Sequence, residues 1–146
     1  MINKIKSFLR LGPSRKIIVI QALWLSIYTY FLFRFFNRRA RFGEKAAPEA
    51  CFNQLPHKKA NDIGWAIQIV AKYISWKNVC RHQAYQAKLL CNFYKVPCLI
   101  FVGFKKEPNK NEIEAHAWTV AGGKIITGFC NPEEYIVQSV YKNKWQ

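Results

Sequence analysis

Acidic residues are scarce in this chain of 146 residues, which has eight Asp or Glu against 23 Lys or Arg and a formal net charge of +15. The excess is uneven, since residues 1–45 hold ten Lys or Arg and a single acid, Glu44. A basic segment of this kind attracts nucleic acid, anionic lipid or acidic peptides. The sequence contains no zinc finger, basic zipper or RNA-binding aromatic motif, so we expect no nucleic-acid partner. A solvated basic flank of a helix is the simplest interpretation.

Cysteine spacings typical of metal sites are also absent. The cysteines form no Cys-x-x-Cys and no Cys/His set with zinc-ligand spacing, and their number is odd. No small-residue cleavage site follows the N-terminal apolar run, so a secretory signal is not predicted. We therefore expect reduced thiols, a cytoplasmic location and no metal or other cofactor. The cysteines are Cys51, Cys80, Cys91, Cys98 and Cys130.

The most apolar stretch of the chain covers residues 17–36, and its first 17 residues carry no charge. Basic residues flank it, and its length is at the lower limit for a membrane span. Gln21, Ser26 and Thr29 lower its hydrophobicity. We therefore favour a helix that docks on the domain, with contact to a membrane surface as the alternative.

Beyond this stretch, helical patterns precede strand patterns. Apolar spacing predicts a helix over 61–76 and another that starts at Cys80 and ends before Pro97. Short apolar runs then predict three strands, the last two joined by a Gly-Gly hairpin turn. This order indicates an α+β fold, with residues 1–45 as an N-terminal helical segment and 46–146 as the main domain. The predicted strands are 98–104, 113–121 and 124–129.

Cys80 stands in the first turn of its predicted helix. Unpaired backbone N–H groups and the positive end of the helix dipole stabilise a thiolate there. Lys77 and Arg81 add positive charge nearby. The same N–H groups suit a developing oxyanion next to the sulfur.

His116 lies in the middle of a predicted strand, on the face shared with Trp118 and Val120. Between two alanines, it would fit beneath the Cys80 helix and act as a base for the thiol. His82 competes as the base but points elsewhere on the helix, and His57 looks incidental. Taken alone, a buried structural cysteine and a half-buried strand histidine are the commoner situations.

Two stretches together resemble the lasso-peptide leader peptidases, a transglutaminase-like family related to the microcin-processing proteins. They are the helix with Cys80, Gln83 and Ala84, and the Ala-His-Ala-Trp strand of 115–118. The resemblance implies a papain-related cysteine peptidase core with Cys80 as nucleophile and His116 as base. It also implies removal of a leader from a ribosomally made precursor, beside a small leader-recognition protein and an ATP-dependent lasso cyclase. The short length resembles the split form of the family, which has no leader-binding domain of its own.

The chain departs from the family pattern at the third member of the triad. The family places an Asp on the strand after the His, roughly where Gly128 stands, whereas the only aspartate here is Asp62. In a regular hairpin His116 would face Phe129, which places Asn131 and Thr127 beside the imidazole. Because Asn can orient a catalytic imidazole, we predict Asn131 as the third member, with Thr127 next.

Two other functions stay open at this point. An amidase or acyl transferase would form the same thioester and differ only in the second nucleophile. A non-catalytic, membrane-associated assembly protein would account for the missing Asp and for the apolar segment.

Overall fold

The computed structural model describes residues 11–36, 41–46, 57–106 and 113–145. Three helices precede most of the sheet: α1 (Pro13–Phe35), α2 (Lys58–Tyr73) and α3 (Cys80–Phe93). The strands are β1 (Glu44–Lys45), β2 (Leu99–Lys106), β3 (Ile113–Ala121), β4 (Lys124–Thr127) and β5 (Ile136–Lys142), with a 3₁₀ turn at Pro132–Glu134. The predicted α+β fold is confirmed.

The five strands form one antiparallel sheet in the order β1-β5-β2-β3-β4. Helix α3 covers one face, where Ala84 contacts Ile100 and Ala117. The other face carries a second cluster around Phe101 and Trp118, whose rings stack at 5.4 Å. Strand β5, which the sequence analysis did not predict, completes the sheet between β1 and β2. The Cys80 helix therefore lies directly on the strand that carries His116.

Helix α1 docks on the domain, as the favoured interpretation of the apolar stretch predicted. Ile18 and Ala22 are fully buried among residues of α2 and α3. The polar residues of α1 also face inward: the Gln86 amide donates to Thr29 Oγ1 over 2.8 Å, and Ser26 is buried close by. The proposed division of the chain after residue 45 stays a prediction.

At Gly64, α2 lies close to β4. A Cβ on Gly64 would lie 2.7 Å from the Ile126 carbonyl oxygen and 2.8 Å from the Ile126 Cβ. Replacing a helical glycine with alanine ordinarily gains about 1 kcal/mol of helix propensity. Here we expect Gly64→Ala to lower the free energy of unfolding by about 1–3 kcal/mol, because the overpacking exceeds that gain. Urea denaturation measures this free energy. The control is Gln68→Ala, at an exposed site of α2, which should change the free energy of unfolding by less than about 0.5 kcal/mol.

Candidate active site

Cys80 is the first residue of α3 and is half-buried. The helix starts there because the preceding Val79 is extended and its carbonyl accepts from the N–H groups of His82 and Gln83. The thiol therefore stands at the positive end of the α3 dipole, as the sequence predicted. The unpaired N–H groups there suit an anion that forms beside the sulfur.

Positive charge surrounds the start of α3. Burial lowers the pKa of His82, and the nearby Arg81 and Lys77 cations lower it further. The Arg81 guanidinium lies over the Phe33 ring, 4.5 Å from its centroid. The electrostatic field at this end of the helix is thus favourable to an anion near Cys80.

His82 has no part in the candidate site. It is only 5% exposed, and its ring meets Phe33 edge-on at 4.9 Å between centroids. The prediction that it points elsewhere is confirmed. His57, the other histidine outside the site, is exposed at the start of α2.

The lowered pKa of His82 makes a pH effect on stability testable. The unfolded chain takes up a proton near pH 6.5, whereas the folded protein resists it. The contribution of neutral His82 to the free energy of unfolding is therefore fully present above about pH 6.5. It is lost as the pH falls below that value. We expect the urea midpoint to drop between about pH 7.5 and pH 5.5, and to drop less in His82→Gln. An equal pH dependence in both proteins would contradict the assignment.

His116 is held in one tautomer by the backbone. Its Nε2 lies 3.1 Å from the Gly128 carbonyl oxygen. A carbonyl oxygen only accepts, so Nε2 carries the proton and Nδ1 keeps a lone pair. Tyr135 and Trp118 lie against the ring, with centroids 5.3 Å and 6.3 Å away. The imidazole is thus oriented as a base whose free nitrogen is Nδ1.

The prediction that His116 lies beneath the helix is wrong. Ala117 packs against α3 with Ala84, whereas His116 shares the opposite face of the sheet with Trp118. His116 lies at an open edge of β3, because β4 pairs with β3 only from Thr119 to Ala121.

Cys80 and His116 line one cavity at this edge. Its volume is about 280 Å³. Apolar side chains form most of its wall, and Arg81 stands at the helix start. A substrate carbonyl entering the cavity would meet both candidate residues. The other lining residues are Phe42, Val79, Val102, Ala115 and Ala117.

Neither substitute for the missing Asp is bonded to His116. The hairpin starts in the expected register, but a bulge then pairs Thr127 with Thr119, so the placement of Thr127 on the face of His116 is wrong. The Asn131 side chain accepts from the Glu133 N–H over 3.4 Å and approaches Glu134 Oε1 at 3.4 Å. A role for Asn131 as the third catalytic residue stays a prediction.

The bulge instead brings the Gly128 carbonyl to the imidazole. Gly128 has a φ of +66°, and a Cβ there would lie 2.2 Å from the Ala117 carbonyl oxygen. Only glycine fits this backbone without displacing β3. The residue at the family Asp position thus contacts His116 through its main chain, which a search for side-chain acceptors overlooks.

Sequence reasoning also missed two neighbours of the site. Phe42, far from Cys80 in sequence, forms part of the cavity wall, and its ring centroid lies 5.9 Å from that of Tyr85. Burial raises the pKa of the Cys130 thiol, and the proximity of Cys80 raises it further. No local pattern marks either residue, because their approach depends on the path of the chain around the sheet.

The profile of the transglutaminase-like superfamily matches residues 24–139, from within α1 to within β5. The chain belongs to the transglutaminase-like superfamily. No curated protein and no solved structure matches it. Members of this superfamily are typically cysteine peptidases or transferases, and the candidate site has the thiol and the imidazole that such reactions use.

Proposed function

We propose that this transglutaminase-like protein is a cysteine peptidase that removes the leader from a ribosomally synthesised lasso-peptide precursor. The peptidase reaction is proposed because Cys80 lines one cavity with His116, whose imidazole is oriented by the Gly128 carbonyl. The substrate class rests on the resemblance of the Cys80 helix and of the strand Ala115–Trp118 to the lasso leader peptidases. A partner ATP-dependent cyclase would then close the ring of the released core peptide.

The proposed reaction begins with transfer of the Cys80 proton to Nδ1 of His116. The thiolate attacks the scissile carbonyl carbon, and the oxygen becomes an anion next to the start of α3. The imidazolium then protonates the departing amine, the C–N bond breaks and a thioester remains on Cys80. Water, deprotonated by His116, hydrolyses the thioester and restores the thiol.

In this mechanism the Gly128 carbonyl takes the orienting role of the family carboxylate. A neutral acceptor stabilises an imidazolium less than a carboxylate does. A cysteine nucleophile depends less on that stabilisation than serine does, because its thiol is the more acidic group. Asn131 is the alternative orienting residue if the turn at 131–134 rearranges when substrate binds.

The proposed partners are the precursor peptide and a separate small leader-recognition protein. The recognition protein is proposed because the resemblance is to the split form of the family, in which a separate small protein binds the leader. We propose a cytoplasmic setting, in which thiols stay reduced.

The decisive experiment incubates the full chain with a lasso-peptide precursor, taken from its own gene neighbourhood if one is encoded there, with and without a leader-recognition protein. Mass spectrometry should show separate leader and core from the wild type and none from Cys80→Ala. Transfer of the acyl group to an added amine in preference to water would favour the acyl transferase. No cleavage, together with an unmodified Cys80, would favour the non-catalytic alternative.

A further inference from the structure

Helix α1 exposes its most hydrophobic side and buries its more polar one. The inward face consists of Ile18, Ala22, Ser26, Thr29 and Phe33. The outward face carries large aromatic and aliphatic side chains, among them Trp24 at 69% exposure and Phe35 at 64%. A helix of a soluble domain normally has the opposite arrangement. The outward residues are Ile17, Ile20, Trp24, Tyr28, Phe31 and Phe35.

The outward residues form one continuous stripe. Their spacings of three and four residues keep them on one side of the helix, over a length of roughly 27 Å at the usual rise per residue. Beside the stripe, α1 and α3 enclose an apolar groove of about 330 Å³ that includes Trp24, Leu89 and Phe93. Phe93 is itself 69% exposed. The apolar surface therefore extends from α1 onto α3.

The charged residues of α1 are all positive. No acidic residue precedes Glu44 in the chain. Lys16 and Arg34 are separated by about five helical turns and so project from the same side of α1, bordering the stripe at its two ends. The Arg34 guanidinium lies 5.5 Å from the Phe35 ring centroid. Arg15 is paired with Asp62 at 2.7 Å, so it points back to the domain.

This combination fits an anionic lipid surface better than a protein partner. Protein interfaces carry about one hydrogen bond per 100–200 Å², whereas only Trp24 and Tyr28 in the stripe have a polar group. Aromatic and aliphatic residues bordered by Lys and Arg are typical of helices that lie in the headgroup region.

A membrane span is a poorer fit than a helix lying on the surface. Among the described residues, α1 is the one helix long and apolar enough to cross a bilayer. Spanning would remove Ile18 and Ala22 from the core and expose Ser26 and Thr29 to lipid. An in-plane orientation keeps the inner face on the domain and places only the outer face in lipid.

We propose that the outward face of α1 binds the surface of an anionic membrane, with the helix parallel to the bilayer. The inference does not depend on the peptidase reaction. Its test uses no activity measurement, so the two proposals can fail separately.

The test is flotation of the full chain with phosphatidylcholine vesicles, with and without phosphatidylglycerol. We expect binding to the anionic vesicles only, weakened by salt, with a blue shift of tryptophan emission that Trp24→Gln removes. The double variant Trp24→Gln/Phe31→Gln should bind at least about tenfold more weakly. Its control is Ile113→Gln/Ile136→Gln, which changes two residues of 71% and 81% exposure on the sheet.

A second pair of variants tests the charges independently of the apolar residues. Lys16→Gln/Arg34→Gln should lower binding to anionic vesicles about thirtyfold, since each juxtamembrane cation contributes about 1 kcal/mol. Lys58→Gln/Lys124→Gln, at exposed sites on other elements, should lower it less. Equal binding to neutral vesicles, no binding at all, or a dimer that the α1 variant dissociates would each overturn the proposal.

Discussion

Cys80→Ala and His116→Ala are each expected to lower kcat/KM for precursor cleavage by at least about a thousandfold, while both variants stay folded. Without the thiol no thioester forms, and without the imidazole the thiol proton has no acceptor in the cavity. The thiol and the imidazole act in the same step, so their effects are not additive. The double variant should therefore have a kcat/KM only slightly lower than either single variant. Time courses of leader release, with circular dichroism as the folding check, measure the effect.

The chain offers matched controls for both substitutions. Cys130→Ala removes a thiol near the site, and His57→Ala removes an exposed imidazole at the start of α2. Both should keep cleavage within about threefold of the wild type, since neither lies in the proposed proton path. If His57→Ala were as inactive as His116→Ala, the assignment of the base would be wrong.

Alkylation tests Cys80 without any substrate. Cys91 and Cys98 are buried, and the pKa of Cys91 is raised well above its ordinary value by a hydrogen bond to Cys98 and by burial. Iodoacetamide should therefore modify Cys80 before these two thiols. His116→Ala should slow that modification. Equal labelling of Cys80 and Cys91 would contradict a special role for Cys80.

Gly128→Ala is expected to lower kcat by about a hundredfold with little change in KM. The added Cβ would clash with the Ala117 carbonyl oxygen at 2.2 Å, and the φ of +66° is unfavourable for alanine. The carbonyl that orients His116 must therefore move, and misplacement by about 1 Å can cost that much. We also expect a loss of about 1–3 kcal/mol in the free energy of unfolding.

A matched control separates the expected loss of kcat in Gly128→Ala from its expected loss of stability. Gly123 also has a positive φ, of 73°, but lies in the hairpin turn. Gly123→Ala should lose comparable stability and keep its kcat. The pH profile of kcat/KM should change in Gly128→Ala and not in Gly123→Ala, because only Gly128 contacts the imidazole.

Restoring the family carboxylate at this position should fail. Gly128→Asp carries the same Cβ, so the clash with β3 occurs before the carboxylate can reach His116. Activity near or above that of the wild type would show that the backbone adapts, and that the carbonyl is not the required acceptor.

Local signals predicted much of the fold for physical reasons. The Cys80 helix ends before Pro97, as predicted, but it ends at Phe93, where Lys95 adopts a left-handed φ of 55° and the Val96 N–H donates to the Cys91 carbonyl. The turn at Gly122-Gly123 has positive φ at both residues, as a two-residue hairpin of type I′ demands. Strand β5 was not predicted because its apolar residues form the adjacent pairs Ile136-Val137 and Val140-Tyr141 and do not alternate with polar residues. Its place in the sheet comes from pairing with distant β2 and β1.

The sequence by itself determined the features that depend on near neighbours: the start of a helix at Cys80, the hairpin, and the motif that resembles the leader peptidases. Only the tertiary structure decided the contacts of His116 and the direction in which α1 faces. A single extra residue in a strand changes its register and the face of each residue beyond it, and no local pattern records this. In the same way, α1 turns Ser26 and Thr29 inward because Gln86 of α3 meets Thr29 there.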